Sequence, residues 1–201
     1  MTAIARACAG GALRARIALV IADSAGIGAL DAARALGIDT RTVAWEGGAA
    51  RAQFERALGQ TLESAQPDLI VLAGFMRVLS APFVEARAGR MLNIHPSLLP
   101  KFRGLHTHRR VLEAGERVHG ASVHYVTPEL DGGPVILQSR VAVRAGDTEE
   151  ILSARVQSTE HIIYPRVIGW IADGRLAWRE GRPWLDDTPL EAPIVEDFNA
   201  P

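Results

Sequence analysis

Leu69-Ile-Val-Leu-Ala73 is an unbroken apolar run, entered from Pro67-Asp68 and closed by Gly74. A strand with one wet face alternates apolar with polar residues, so a continuous run of this kind marks a parallel strand covered on both faces. Ile17-Ala-Leu-Val-Ile-Ala22 has the same texture and is closed by Asp23. Between the two, Ile27, Leu30, Ala33 and Leu36 fall at helical spacing within residues 26–36, and Phe54, Leu58 and Leu62 do so within residues 49–65. A short strand near Thr42 to Trp45 separates these helices. Strand, helix, strand, helix, strand in that order predicts right-handed crossovers and an open α/β sheet.

From Arg90 the pattern shifts. Met91-Leu-Asn-Ile94 reads as a strand running into a proline-rich turn, and Thr107 to Ala114 as a helix. Gly120 to Val126 and Val135 to Val143 alternate like strands of a hairpin or mixed sheet. A long helix follows from Asp147 to about Ala172, with Glu149 and Glu150 at the positive end of its dipole and Pro165 placed to kink or split it. Gly174 to Trp184 suggests a terminal hairpin. The acidic, proline-containing stretch of residues 186–201 reads as a loose tail after a single domain over residues 1–185. Met1, Ile4 and Cys8 lie at helical spacing and Gly10-Gly11 closes the stretch, so the chain is expected to open within a helix.

Composition narrows the classes. The 201 residues carry 22 Lys plus Arg against 23 Asp plus Glu, a net charge of -1, so no global basic field points to nucleic acid or an anionic membrane. Cys8 is the single cysteine, which precludes an intramolecular disulfide, fits a cytoplasmic setting and leaves no cysteine-based zinc site. The apolar run after Arg14 and Arg16 is too short for a secretion signal, and nothing approaches the roughly 20 apolar residues of a membrane span.

Three clusters could carry chemistry. Alternation puts Asn93 and His95 on one face at the C-terminal end of a strand, the edge of an α/β sheet where ligands usually bind. Pro96 and Pro100 stiffen the loop that leaves them. Asp131-Gly-Gly-Pro134 permits a tight turn and a close backbone approach to a ligand. Phe75 and Met76 follow the most apolar strand near the same edge. Each cluster alone also fits an ordinary turn or core packing. His106, His108, His119 and His161 read as structural or solvent-facing.

Joined in order, these segments resemble the glycinamide ribonucleotide formyltransferases, a folate-dependent family of purine synthesis. The resemblance rests on Pro67-Asp-Leu-Ile-Val-Leu-Ala-Gly-Phe-Met-Arg77, on Asn93-Ile-His-Pro-Ser-Leu-Leu-Pro-Lys101 with Gly104-Leu-His-Thr-His108, and on His119-Gly120 with Ser122-Val-His124. It continues through Glu129-Leu-Asp-Gly-Gly-Pro-Val-Ile-Leu-Gln138, Ala154-Arg-Val-Gln157 with Glu160-His161, and Asp173-Gly-Arg175. It implies a Rossmann-like, mostly parallel twisted sheet flanked by helices, and transfer of a formyl group from 10-formyltetrahydrofolate to the amine of glycinamide ribonucleotide without a metal. It further implies that Asn93, His95 and Asp131 are catalytic, with Asp131 keeping His95 cationic, and that Arg51, Met76, Arg77, Val78, Leu79 and Asn93 contact the folate. Pro96, His124, Gln157 and Glu160 match positions around the ribonucleotide. The implied partners are these small molecules, with no nucleic acid or membrane, for a cytoplasmic monomer or homodimer.

Members of this family open with a β-strand and a Gly-x-Gly-Ser-Asn loop that binds the substrate phosphate. Neither is found ahead of Met1-Thr-Ala-Ile4, so the resemblance implies that the first strand is missing and that Met1 is an internal methionine. Two alternatives follow: a folate-binding protein whose catalysis is impaired by loss of the phosphate loop, or a sibling enzyme that also uses formyltetrahydrofolate.

Overall fold

The computed structural model describes residues 1–199. Backbone contacts group into two compact units, Met1–Leu69 and the remainder from Ile70. The first begins with helix α1 (Thr2–Ala9), as the spacing of Met1, Ile4 and Cys8 anticipates. Strand β1 (Val20–Ala22) pairs in parallel with β2 (Thr40–Thr42) across helix α2 (Gly28–Ala35). The ladder runs on past β2, with Val43 N–H donating to Ala22 O and Trp45 N–H to Asp23 O, both at 2.9 Å. A 3-10 turn at Gly48–Ala50 leads into α3 (Arg51–Ala65). Leu30, Ala33, Val43, Phe54 and Leu58 are buried, and Trp45 meets Phe54 edge to face at 5.1 Å. Burying each large apolar side chain contributes about 1.5–3 kcal/mol before entropy is counted.

The second unit is built on a mixed sheet. Its strands are β3 (Ile70–Leu72), β4 (Met91–His95), β5 (Val118–Tyr125), β6 (Val135–Ala142) and β10 (Ile194–Asp197), in the order β10-β6-β5-β4-β3. The β3–β4 and β6–β10 pairs are parallel, and β4–β5 and β5–β6 antiparallel. Two short helices, α4 (Ala81–Glu85) and α5 (Thr107–Glu113), precede β4 and β5. The long helix α6 (Glu149–Ala172) lies along β5 and β6 and buries Leu152, Val156, Ile163, Val167 and Ile168. Thr148 caps it by accepting from the Ile151 amide, and Asp147 holds Arg155 through two hydrogen bonds of 2.6 and 2.7 Å. Pro165 sits inside α6 without ending it, because the buried residues on either side anchor both halves. Tyr164 donates its hydroxyl to Leu72 O at 2.8 Å and Leu92 O at 3.1 Å, tying α6 to β3 and β4.

The hairpin expected near the end is β7 (Leu176–Arg179) with β8 (Arg182–Leu185), extended by β9 (Thr188–Pro189). The tail is a correction. Residues 194–197 are not loose but form β10 beside β6, and Phe198 N–H continues the pairing to Arg140 O at 2.9 Å. The open edge of β6 offers unpaired amides and carbonyls, and satisfying them outweighs the polar character of the segment. Residues 200 and 201 of the expected tail lie outside the described residues. No helix among the described residues is long and apolar enough to cross a membrane.

Candidate active site

The polar residues of the second unit line up across its sheet. Asn93 of β4 stands opposite His124 of β5, and His95 opposite Ser122, which stands opposite Gln138 of β6. Residues two apart on a strand share a face and direct cross-strand neighbours touch, so the pairing gathers these side chains into one patch. The loop between β5 and β6 then brings in Asp131, whose backbone takes the left-handed conformation at φ +48°. The conformation is uncommon outside glycine, and Asp tolerates it better than most residues.

His95 is 7% exposed and engaged on both ring nitrogens. Nε2 lies 3.0 Å from Phe102 O, and Nδ1 lies 3.4 Å from Asp131 Oδ2. A carbonyl can only accept, so Nε2 carries a proton and Nδ1 is the nitrogen whose proton is exchangeable. Asp131 Oδ2 also accepts from Gly104 N–H at 2.9 Å, which holds the carboxylate in place. His124 is buried, with Nδ1 2.9 Å from Tyr125 O and Nε2 3.2 Å from Asn93 Nδ2. The same reasoning makes Nδ1–H the donor to Tyr125, so Nε2 accepts from the Asn93 amide and orients it. Burial pushes the His124 ring below its ordinary value, in keeping with a neutral acceptor.

Asn93, His95 and Asp131 thus come together as the motifs suggest. The other candidate residues divide. Arg77, Val78 and Leu79 line a small cleft of about 80 Å³ with Asn93, His124 and Asp131. Met76 is 69% exposed and not among its lining residues. Arg51 belongs to the first unit, exposed at the start of α3. Pro96 is half-buried directly after His95, and His124 packs against Asn93. Gln157 and Glu160 lie on α6, the first exposed and the second half-buried, where burial raises the Glu160 carboxyl above its usual range. A larger cleft of about 710 Å³ lies in the first unit between β2 and α3, and none of the candidate residues lines it.

Sequence reasoning missed the loop anchors. The Phe102 carbonyl, Ser122 and Gln138 act through cross-strand register and through a left-handed residue at Phe102 (φ +55°), which no local pattern signals. Arg103 pairs with Glu129, joining the loop after His95 to the loop bearing Asp131. Among the described residues, no group of three or more His, Cys, Asp or Glu side chains is arranged to hold a metal ion.

Such a site can place two hydrogen-bond donors, the Asn93 amide and a protonated His95 Nδ1, beside a carboxylate. That combination suits a reaction in which negative charge develops on an oxygen while a proton moves nearby.

Comparison with known proteins places the chain beside formyltransferases. A family model described as formyl transferase matches residues 1–168. A phosphoribosylglycinamide formyltransferase of Escherichia coli is 51% identical over 94% of this chain and 90% of its own length. A trifunctional purine biosynthetic protein, adenosine-3, of Gallus gallus is 46% identical over 80% of the chain, which spans 16% of that longer protein. Among solved structures, a phosphoribosylglycinamide formyltransferase of Coxiella burnetii in complex with CHES matches with a TM-score of 0.90 and 46% identity, over 96% of this chain and 92% of its own.

Proposed function

The chain belongs to the formyl transferase family, and on that premise we propose that Asn93, His95 and Asp131 carry its reaction. The reaction is transfer of the formyl group of 10-formyltetrahydrofolate to the amine of glycinamide ribonucleotide in purine biosynthesis. The bond from formyl carbon to the substrate amine forms, and the bond from that carbon to the folate nitrogen breaks. One proton leaves the attacking amine and one arrives on the folate nitrogen. Between these events the formyl oxygen bears negative charge, and a donor aimed at such an oxygen is typically worth about 3 kcal/mol.

The Asn93 amide, steadied by His124, and His95 Nδ1–H are the donors on this reading. Asp131 stabilises the charged ring and orders the water or amine that passes the proton. Arg77, Val78, Leu79 and the loop into Asp131 receive the folate ring system, and the family resemblance assigns Met76 and Arg51 to the folate as well. Pro96, His124, Gln157 and Glu160 serve the ribonucleotide side. We treat residues 1–185 as one formyltransferase domain, since the family match runs through both compact units. The two small molecules are its partners, and the single Cys8 fits a cytoplasmic setting.

The observation that carries this reading is His95 with Nε2 capped by a carbonyl and Nδ1 facing Asp131. Steady-state formyl transfer by Asn93→Ala and His95→Ala tests it: a fall in kcat of about 10² to 10⁴-fold is expected. Wild-type turnover in either variant removes that residue from the scheme. Formyl release at full rate without ribonucleotide would instead identify water as the acceptor.

A further inference from the structure

Gln138 is buried, yet no step of the reaction uses it. It stands in the row His95, Ser122, Gln138 that crosses β4, β5 and β6 in register. Its Nε2 donates to Leu99 O and to Ser122 Oγ, each at 2.9 Å. Ser122 Oγ in turn donates to Ser97 O at 2.6 Å and accepts from Leu99 N–H at 3.1 Å. Both amide protons of Gln138, and the one proton and two lone pairs of Ser122, are therefore engaged. Leu99 O can only accept, which fixes the amide nitrogen of Gln138 on that side.

The backbone held in this way is the loop that returns to His95. It leaves the strand at His95, passes Ser97 and Leu99, and reaches Phe102, whose carbonyl receives the His95 ring at 3.0 Å. Ser97 Oγ adds a bond to Lys101 O at 2.7 Å, one residue before Phe102. We infer that Gln138 is a positioning residue: through Ser122 and Leu99 it fixes the loop whose Phe102 carbonyl holds Nε2–H of His95, and so decides which ring nitrogen faces the reacting atoms. The inference rests on the role assigned to His95 above. Without the clamp the loop keeps its chain path but not the carbonyl's place, and the ring samples orientations in which Nδ1 no longer faces Asp131.

The test uses the full chain with Gln138→Leu, which removes both donors at similar volume, and Gln138→Met, whose unbranched side chain of similar length donates nothing. Two readouts are taken: formyl-transfer kcat and KM, and the ring-nitrogen NMR signals of His95, assigned by their loss in His95→Ala. Wild-type protein should show a slowly exchanging Nε2–H signal. In both variants that signal should broaden or vanish, kcat should fall at least tenfold, and KM for each substrate should stay within about threefold. A variant that retains the wild-type His95 signal and wild-type kcat overturns the proposal, as does one that loses kcat while the signal is unchanged. If Gln138→Leu fails to fold, Gln138→Met decides by the same readouts. Should the wild type lack formyl transfer, the functional reading fails while the His95 signal still judges the clamp.

Discussion

Replacing Asp131 with Asn removes a charge while keeping the shape of the site. Asp131 Oδ2 stands 3.4 Å from His95 Nδ1, with both side chains less than one-tenth exposed. Two unit charges at that distance in a medium of effective dielectric about 20 attract by about 5 kcal/mol. Desolvation of both groups takes back a large share, leaving about 2–3 kcal/mol, the range of a hydrogen bond to a charged group. If the transition state depends on that attraction in full, kcat falls about 100-fold, since each 1.4 kcal/mol is about tenfold. The asparagine side chain still offers an oxygen to Gly104 N–H, so the loop stays in place and KM for either substrate moves by less than about threefold. Initial rates of formyl transfer from pH 5 to 9, with both substrates saturating, measure the effect. A variant with kcat within threefold of wild type across that range refutes the coupling of Asp131 to His95.

Gly133→Ala would put a methyl carbon 1.8 Å from Tyr125 O, so the backbone must shift. A loss of about 1–3 kcal/mol is expected from the urea midpoint, together with reduced kcat because the displaced loop carries Asp131. His119 is buried beside His108, with Nε2 3.0 Å from His108 Nδ1, and burial first, then the neighbouring rings, lower it to about 4. The unfolded chain takes up that proton near pH 6.5 and the folded chain only near 4, so stability is retained above 6.5 and falls as pH drops between the two. Urea midpoints at pH 7.5, 6 and 4.5 should trace this loss, and His119→Phe should flatten it. Tyr164→Phe removes the hydroxyl shared by Leu72 O and Leu92 O and should cost about 1–2 kcal/mol in thermal or urea unfolding, with β3 and β4 exchanging amide protons faster.

Much of the fold was legible because its signals are local. Leu69 to Ala73 and Ile17 to Ala22 both contain strands, β3 and β1, though the paired portions are shorter than the apolar runs. The helices α2, α3, α5 and α6 fall where their spacing and end residues indicate. Helix α4 escaped because five residues give too little periodicity to register, and β10 because its four residues have no strand signal apart from the edge they fill. In the site, the motifs carrying Asn93, His95 and Asp131 were visible as polar residues at turns. Their supports were not: Phe102 contributes a carbonyl, which has no residue signature, and Gln138 reads in isolation as one more polar residue on an alternating strand.

The sequence by itself determined the periodicity of each element, the class of fold that their order allows, and which residue types stand at the ends of the strands. These follow from interactions between residues close in the chain, where a side-chain spacing of two or 3.6 chooses the local backbone. Only the tertiary structure decided that His95, Ser122 and Gln138 share one row, that His124 steadies Asn93, and that residues 194–197 complete a sheet. A shift of one residue in β-strand register turns every side chain to the other face, and register is set by packing among segments far apart in sequence. The same holds for the left-handed turns at Phe102 and Asp131, which nothing local favours strongly and which the surrounding hydrogen bonds hold in place.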